Sequence, residues 1–303
     1  VDCFCFKEKT AYEMLRILVG AEMCKRDSPN VVRIPYFPEG AIQMMSQYET
    51  VILVGSDEPV TFFGYDGVPS RILRNEQKKI SIGMGNEDAV GAIEYLAELL
   101  KVSKNMFSSD KVLTKLNCPS LPSGALTPEK ACVVVAAIQP EYAIIVDEGL
   151  TSVMTYYPLT AGLPPHSMMT IAGGSIGYGM PCAVGAAIAC PDRPVINIQA
   201  DGSALYTLQA LWTQARESLN VTTLLCANKS YNILKIEYER AGVKSPGQNA
   251  QSLVELDNPS INWVKLSEGF GVPAVTVDSV EALAKELTVA LVEPGPHLIE
   301  MVL

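Results

Sequence analysis

VINIQADGSALYTLQALWTQARESLNVTTLLCANKSYNIL, residues 195–234, decides the fold of this chain. Val195–Gln199 is an apolar run that reads as a strand, and it ends at a carboxylate, Asp201. Tyr206–Ser218 carries apolar residues at helical spacing. Val221–Cys226 is a second apolar strand, and it leads to a carboxamide, Asn228. Two neighbouring parallel strands joined by a helix bring their C-terminal ends side by side. Asp201 and Asn228 are therefore expected together at a strand-end crevice. Two hard oxygen ligands there suit Mg²⁺ bridging a diphosphate. Gly202 lets the backbone approach phosphates closely, and Ser203 can donate to them. The same Asp and Asn could instead do no more than cap turns of an ordinary βαβ unit, and the rest of the chain must decide.

The 303 residues suggest roughly two domains. A hydrophobic content of 48% fits a globular chain with a filled core, and a net charge of −10 argues against a nucleic-acid partner. An anionic ligand remains compatible with that charge, because a metal ion and helix N-termini supply local positive potential. No apolar run approaches the ~20 residues needed to span a bilayer. VDCFCFKEKTAYEML at the N-terminus reads as neither a signal nor a transit sequence. Eight scattered cysteines without a C-x-x-C pair read as free thiols in a reducing cytoplasm. His166 and His297 are too few and too far apart for a zinc site.

Outside the central stretch, strands alternate with helices. The reading gives a helix over Thr10–Cys24, strands over Val31–Ile34, Val51–Gly55 and Lys79–Ile82, and helices over Gly40–Gln47 and Asp88–Leu100. Lys101–Ser123 is polar and reads as a linker. Thr127-Pro128-Glu129 starts a helix over Leu126–Ala137. Further on come strands at Ala143–Val146, Ala274–Val277 and His297–Val302, and helices at Trp263–Glu268 and Ser279–Leu291. The alternation predicts an α/β fold with an open parallel sheet. The expected division is a partial Rossmann-like domain over 1–105, a linker over 106–124 and a second domain over 125–303.

Asp201-Gly202-Ser203 followed by Asn228 resembles the metal-diphosphate signature of thiamine diphosphate (ThDP) enzymes, G-D-G followed at a distance by Asn, with Ala200 in place of the first glycine. Ala172–Gly185, AGGSIGYGMPCAVG, resembles a segment of the benzoylformate decarboxylase-like and acetolactate synthase-like branches. LQALWTQARE is similar to the first branch. PYFPE, PVTFFGYDGVPS and PGPHLIE are similar to acetolactate synthase large subunit-like proteins, and that resemblance runs over about residues 31–303. It implies that Asp201, Asn228 and the backbone carbonyl of Ser230 hold Mg²⁺. It implies that Thr151, Ser152, Gly202 and Ser203 contact the diphosphate and that Tyr231 lines the cofactor. The Gly174 carbonyl would accept from the 4′-amino group of the aminopyrimidine. Ile176 would wedge between the two rings and impose a bent shape. For Ile176 ordinary core packing is the alternative, and for Thr151 or Ser152 a helix cap. The segment after Asn228, Leu234–Glu239, lacks the tryptophan of well-characterised acetolactate synthases. The 2-oxo acid substrate therefore stays open.

Relatives of this kind carry a further domain whose glutamate polarises the aminopyrimidine. No residue here matches it. The resemblance thus implies a portion of a larger enzyme that acts on a 2-oxo acid, by decarboxylation followed by carboligation or by release of an aldehyde. The missing half-site would come from a homo-oligomer or from a separate aminopyrimidine-binding chain. A non-catalytic subunit is a second reading. A nucleotide-binding module is a third, but no G-x-G-x-x-G follows a strand in the first segment. An incomplete middle segment argues against FAD.

Overall fold

The computed structural model describes residues 4–6, 20–23, 32–102, 115–171 and 173–303. In chain order the strands are β1 (Phe4–Phe6), β2 (Gly20–Met23), β3 (Thr50–Val54), β4 (Lys78–Ile82), β5 (Ile144–Glu148), β6 (His166–Thr170), β7 (Val195–Ala200), β8 (Val221–Ala227), β9 (Ala274–Val277) and β10 (His297–Val302). The chain divides into two compact units. Among the described residues the first holds 4–6, 32–102 and 173–174, and the second holds 20–23, 115–171 and 175–303.

In the first unit β1, β3 and β4 form a parallel three-stranded sheet in the order β1-β3-β4. Helix α1 (Pro38–Met45) opens with a proline, whose missing N–H costs nothing there, and buries Ala41 and Met45 with Val51, Leu53, Ile72 and Leu73. Gln77 is buried and donates to the carbonyls of Met45 and Tyr48 at 2.8 and 2.6 Å, which ties the helix end to the sheet. Helix α2 (Ala89–Leu99) starts at Asp88, whose carboxylate accepts from Val90 and Gly91 N–H. Residues 32–34 are irregular rather than a strand. The helix expected over Thr10–Cys24 lies mostly outside the described residues. Its Gly20–Met23 portion is strand β2, paired antiparallel with β6.

The second unit is a seven-stranded sheet in the order β2-β6-β5-β7-β8-β10-β9, parallel except for β2. The central strands β7 and β8 are buried along their whole length, which is why they read as apolar runs. Alternate residues serve two cores. Ile145, Ile196, Ile198, Leu224 and Ile299 meet helices α3 (Pro128–Ile138) and α11 (Val280–Ala290) on one face. Ile144, Val146, Val195 and Val221 meet Cys182, Ala183 and Ala186 of helix α5 (Gly179–Ala189) on the other. Thr127 caps α3 and Pro128 opens it, as the sequence predicts. From β5 the chain steps to β6 on one side, then returns to place β7 on the other. The tips of β5 and β7 therefore form a topological switch point, where open α/β sheets bind ligands.

Candidate functional site

Strands β7 and β8 pair in register, Ala200 opposite Cys226, so Asp201 and Asn228 leave adjacent strand tips. Asp201 is buried at 2% exposure at the start of a short helical turn, α6 (Asp201–Ala204). Its Oδ1 accepts from the Gly202 N–H at 2.8 Å, and its Oδ2 accepts from the Lys229 N–H at 2.7 Å. The carboxylate thus spans both strand ends. No lysine or arginine pairs with it among the described residues, and burial pushes its pKa up. Lys229 has φ +57, a left-handed turn that places its N–H toward Asp201. Asn228 Oδ1 accepts from the Ser230 N–H at 3.0 Å. An isolated bridge pairs Ser230 with Glu255 through bonds from Tyr231 N to the Val254 carbonyl and from Leu256 N to the Lys229 carbonyl. These bonds pin the 228–231 turn while leaving the Ser230 carbonyl out of the pairing.

Gly202 lies under the ring of Tyr231. A Cβ there would come 2.7 Å from Tyr231 Cδ1, and the Tyr231 hydroxyl donates to the Gly202 carbonyl at 3.3 Å. Burial, followed by the charges of Tyr206 and Asp201, raises the Tyr231 pKa. Ser203 is 1% exposed, and its hydroxyl has no partner. An orphaned buried hydroxyl beside a buried carboxylate, at a switch point, is what a diphosphate and its cation would complete.

The loop after β5 forms a 3₁₀ turn over Leu150–Val153, entered through Leu150 at φ +49. Thr151 is half-buried, with its Oγ1 3.5 Å from Asn232 Nδ2. Ser152 is buried, and its carbonyl accepts the Cys132 thiol at 3.6 Å. Burial pushes that thiol up to about 11. Ile176 is half-buried and belongs to none of the apolar core clusters. Gly174 belongs to the first unit, where a Cβ would sit 3.2 Å from the Phe63 ring. Asp201, Asn228, Ser230, Gly202, Ser203 and Tyr231 are thus brought together by the tips of β7 and β8, with Thr151 reaching Asn232 from the switch-point loop.

One residue of this region escaped the sequence reading. Glu148, the last residue of β5, is 1% exposed and accepts from the N–H groups of Gly177 (2.5 Å), Tyr178 (3.2 Å) and Gly179 (2.6 Å), and from Gln199 Nε2 (2.9 Å). It therefore caps α5 from another strand. The N–H groups of Gly177, Tyr178 and Gly179, at the entry to α5, are thereby already taken. Partners lying 29 to 51 residues away leave no local pattern in the sequence.

Residues 148–301 match the family model "Thiamine pyrophosphate enzyme, C-terminal TPP binding domain". The chain belongs to the thiamine diphosphate enzymes. The Mycobacterium tuberculosis protein named "Putative acetolactate synthase large subunit IlvX" is 43% identical to this ThDP-enzyme chain over 277 residues, covering 90% of this chain and 52% of that protein. Benzoylformate decarboxylase of Pseudomonas aeruginosa is 34% identical over 182 residues, 59% of this chain and 32% of that enzyme. The solved ThDP-dependent 4-hydroxybenzoylformate decarboxylase of Rhodococcus jostii aligns with a TM-score of 0.73 and 25% identity over 93% of this chain and 54% of that one. The chain thus spans about half the length of the Mycobacterium tuberculosis relative and about a third of the Pseudomonas aeruginosa enzyme. Among the described residues no helix is long and apolar enough to cross a membrane.

Proposed function

We propose that this chain is the cofactor-holding portion of a ThDP- and Mg²⁺-dependent enzyme that acts on a 2-oxo acid, with decarboxylation followed by acetolactate synthase-like carboligation. The observation that carries the reading is the buried Asp201 carboxylate and the half-buried Asn228 amide at adjacent strand tips, next to the unpartnered Ser203 hydroxyl. In this assignment one oxygen of Asp201, Asn228 Oδ1 and the Ser230 carbonyl hold Mg²⁺. Ser203 donates to a phosphate oxygen, and Gly202, packed under the Tyr231 ring, brings its backbone to the same phosphates. Thr151 and Ser152 flank the same phosphates. The Gly174 carbonyl accepts from the aminopyrimidine, and Ile176 orients the two rings. Its half-exposed position outside the cores supports that role over plain packing. When bound, ThDP supplies the carbanion chemistry that breaks the bond between the carboxylate and the carbonyl carbon of the substrate.

A second reading, a benzoylformate decarboxylase-type enzyme that releases an aldehyde, is supported by the likeness to the two decarboxylases and by Leu234–Glu239, which lacks tryptophan. In either case the aminopyrimidine-activating glutamate is assigned outside these 303 residues, to a longer form of the chain or to a separate chain. Purified chain is expected to bind ThDP weakly, only with Mg²⁺, and to turn over neither pyruvate nor benzoylformate by itself. Products measured after adding the complementary half separate the readings: acetolactate supports the first, benzaldehyde the second. Robust turnover by the chain alone would overturn the account of a missing half-site.

A further inference from the structure

Glu148 and Thr207 hold the same turn from opposite sides. The three consecutive N–H groups of Gly177, Tyr178 and Gly179 converge on the Glu148 carboxylate, while the Gly177 carbonyl accepts from Thr207 Oγ1 at 2.9 Å. Gly177 has φ +90, and a Cβ there would come 2.8 Å from Tyr206 Cβ, so the turn is tight as well as bonded. Glu148 is itself oriented. Gln199 donates to its Oε2, and the Gln199 amide is in turn fixed by Asn197 Nδ2 at 3.5 Å on its oxygen. Among the described residues no lysine or arginine pairs with Glu148. All its partners donate, so an acceptor-only carboxylate satisfies all four at once. The residue immediately before this clamped turn is Ile176.

We propose that Glu148 and Thr207 are positioning residues that clamp the Gly177–Gly179 turn and so fix where the adjoining Ile176 stands, a role that rests on the ThDP reading of Ile176. Neither residue needs to touch the cofactor. Glu148 sits on the rigid tip of β5 and Thr207 follows the Asp201-Gly202-Ser203 element, so the clamp ties the ring-orienting residue to the strand tips that hold the diphosphate. A substitution Glu148→Gln keeps the shape but turns one acceptor oxygen into a donor. Whichever oxygen is replaced, the new N–H₂ faces two N–H donors.

The test is amide hydrogen–deuterium exchange on the full chain, wild type, Glu148→Gln and Thr207→Val, with and without Mg²⁺ and ThDP. Without ligand, Glu148→Gln is expected to speed exchange at 177–179 about tenfold, with residues 201–203 and 228–231 within about twofold of wild type. Thr207→Val removes a single hydroxyl and is expected to speed the same segment about threefold, and it carries the test if Glu148→Gln does not fold. With ligand, Glu148→Gln is expected to keep the Mg²⁺ requirement of ThDP binding while its ThDP affinity falls about tenfold. Unchanged exchange at 177–179 in the folded variants would overturn the clamp and leave the cofactor assignment standing. Faster exchange along the whole chain, with a lower melting temperature, would also overturn it, because it would make the two residues mere stabilisers. Wild-type chain showing no protection at 201–203 and 228–231 from Mg²⁺ and ThDP would overturn the cofactor assignment itself, and with it the purpose of the clamp.

Discussion

Ser203→Ala should make the cofactor-free chain more stable and the cofactor-bound chain weaker. The Ser203 hydroxyl is buried and has no partner, a state that costs about 1–3 kcal/mol for a polar group cut off from water. Removing one oxygen loses little packing, so a net gain of about 1–2 kcal/mol is expected. For a domain of this size that is a rise of roughly 2–6 °C in Tm. The sign reverses with ligand. A hydrogen bond to a charged phosphate oxygen contributes about 1.5–3 kcal/mol, so ThDP affinity should fall by roughly tenfold to a hundredfold. Calorimetric melting without ligand and isothermal titration with ThDP at saturating Mg²⁺ read both effects on one variant. A Ser203→Ala chain that melts lower than wild type and binds ThDP equally well would refute the reasoning, because the hydroxyl would then be satisfied within the protein.

Three further outcomes follow from the same geometry. Asp201→Ala removes the buried carboxylate that joins the tips of β7 and β8, and is expected to abolish the Mg²⁺ dependence of ThDP binding; Mg²⁺-dependent binding of wild-type strength would refute the metal assignment. Gly179→Ala places a Cβ 2.8 Å from Glu148 Oε2 in a fully packed spot, so a loss of about 1–3 kcal/mol in denaturant unfolding is expected, and a neutral result would contradict the packing described. Burial of His166 lowers its pKa below 6.5, so the unfolded chain binds the proton more readily than the folded one. Its contribution is present above pH 6.5 and is lost as pH falls through the lowered folded value. His166→Gln should flatten that part of a plot of stability against pH, and an unchanged slope would assign the loss to other groups.

The second unit was legible where burial on both faces makes a strand uniformly apolar. Val195–Ala200 and Val221–Ala227 were read within a residue of their observed ends for this reason. Strand β6 is not legible in sequence, because HSMMT starts with polar residues after two prolines, and its pairing with β5 and β2 shows that it is a strand. The helix expected from Tyr206 begins at Ala210, since Thr207 lies in the preceding turn, where its hydroxyl bonds Gly177. Helix α5 is masked in sequence by Pro181 and two glycines, yet a proline in the first turn removes only an N–H that has no helical partner. Within the candidate site, Asp201 and Asn228 could be placed because register between adjacent strands follows from the connecting helix. Glu148 could not, because its role is set by contacts across three separate segments.

The claim beneath all of this is that Asp201 and Asn228 jointly grip the cation that carries the cofactor's phosphates. A crystal structure of the chain grown with Mg²⁺ and ThDP tests it most directly. The account predicts one metal ion with an Asp201 carboxylate oxygen and Asn228 Oδ1 both at about 2.0–2.1 Å, and a phosphate oxygen in the same coordination shell. A diphosphate seated elsewhere, or a metal ion there that neither side chain touches, would contradict it.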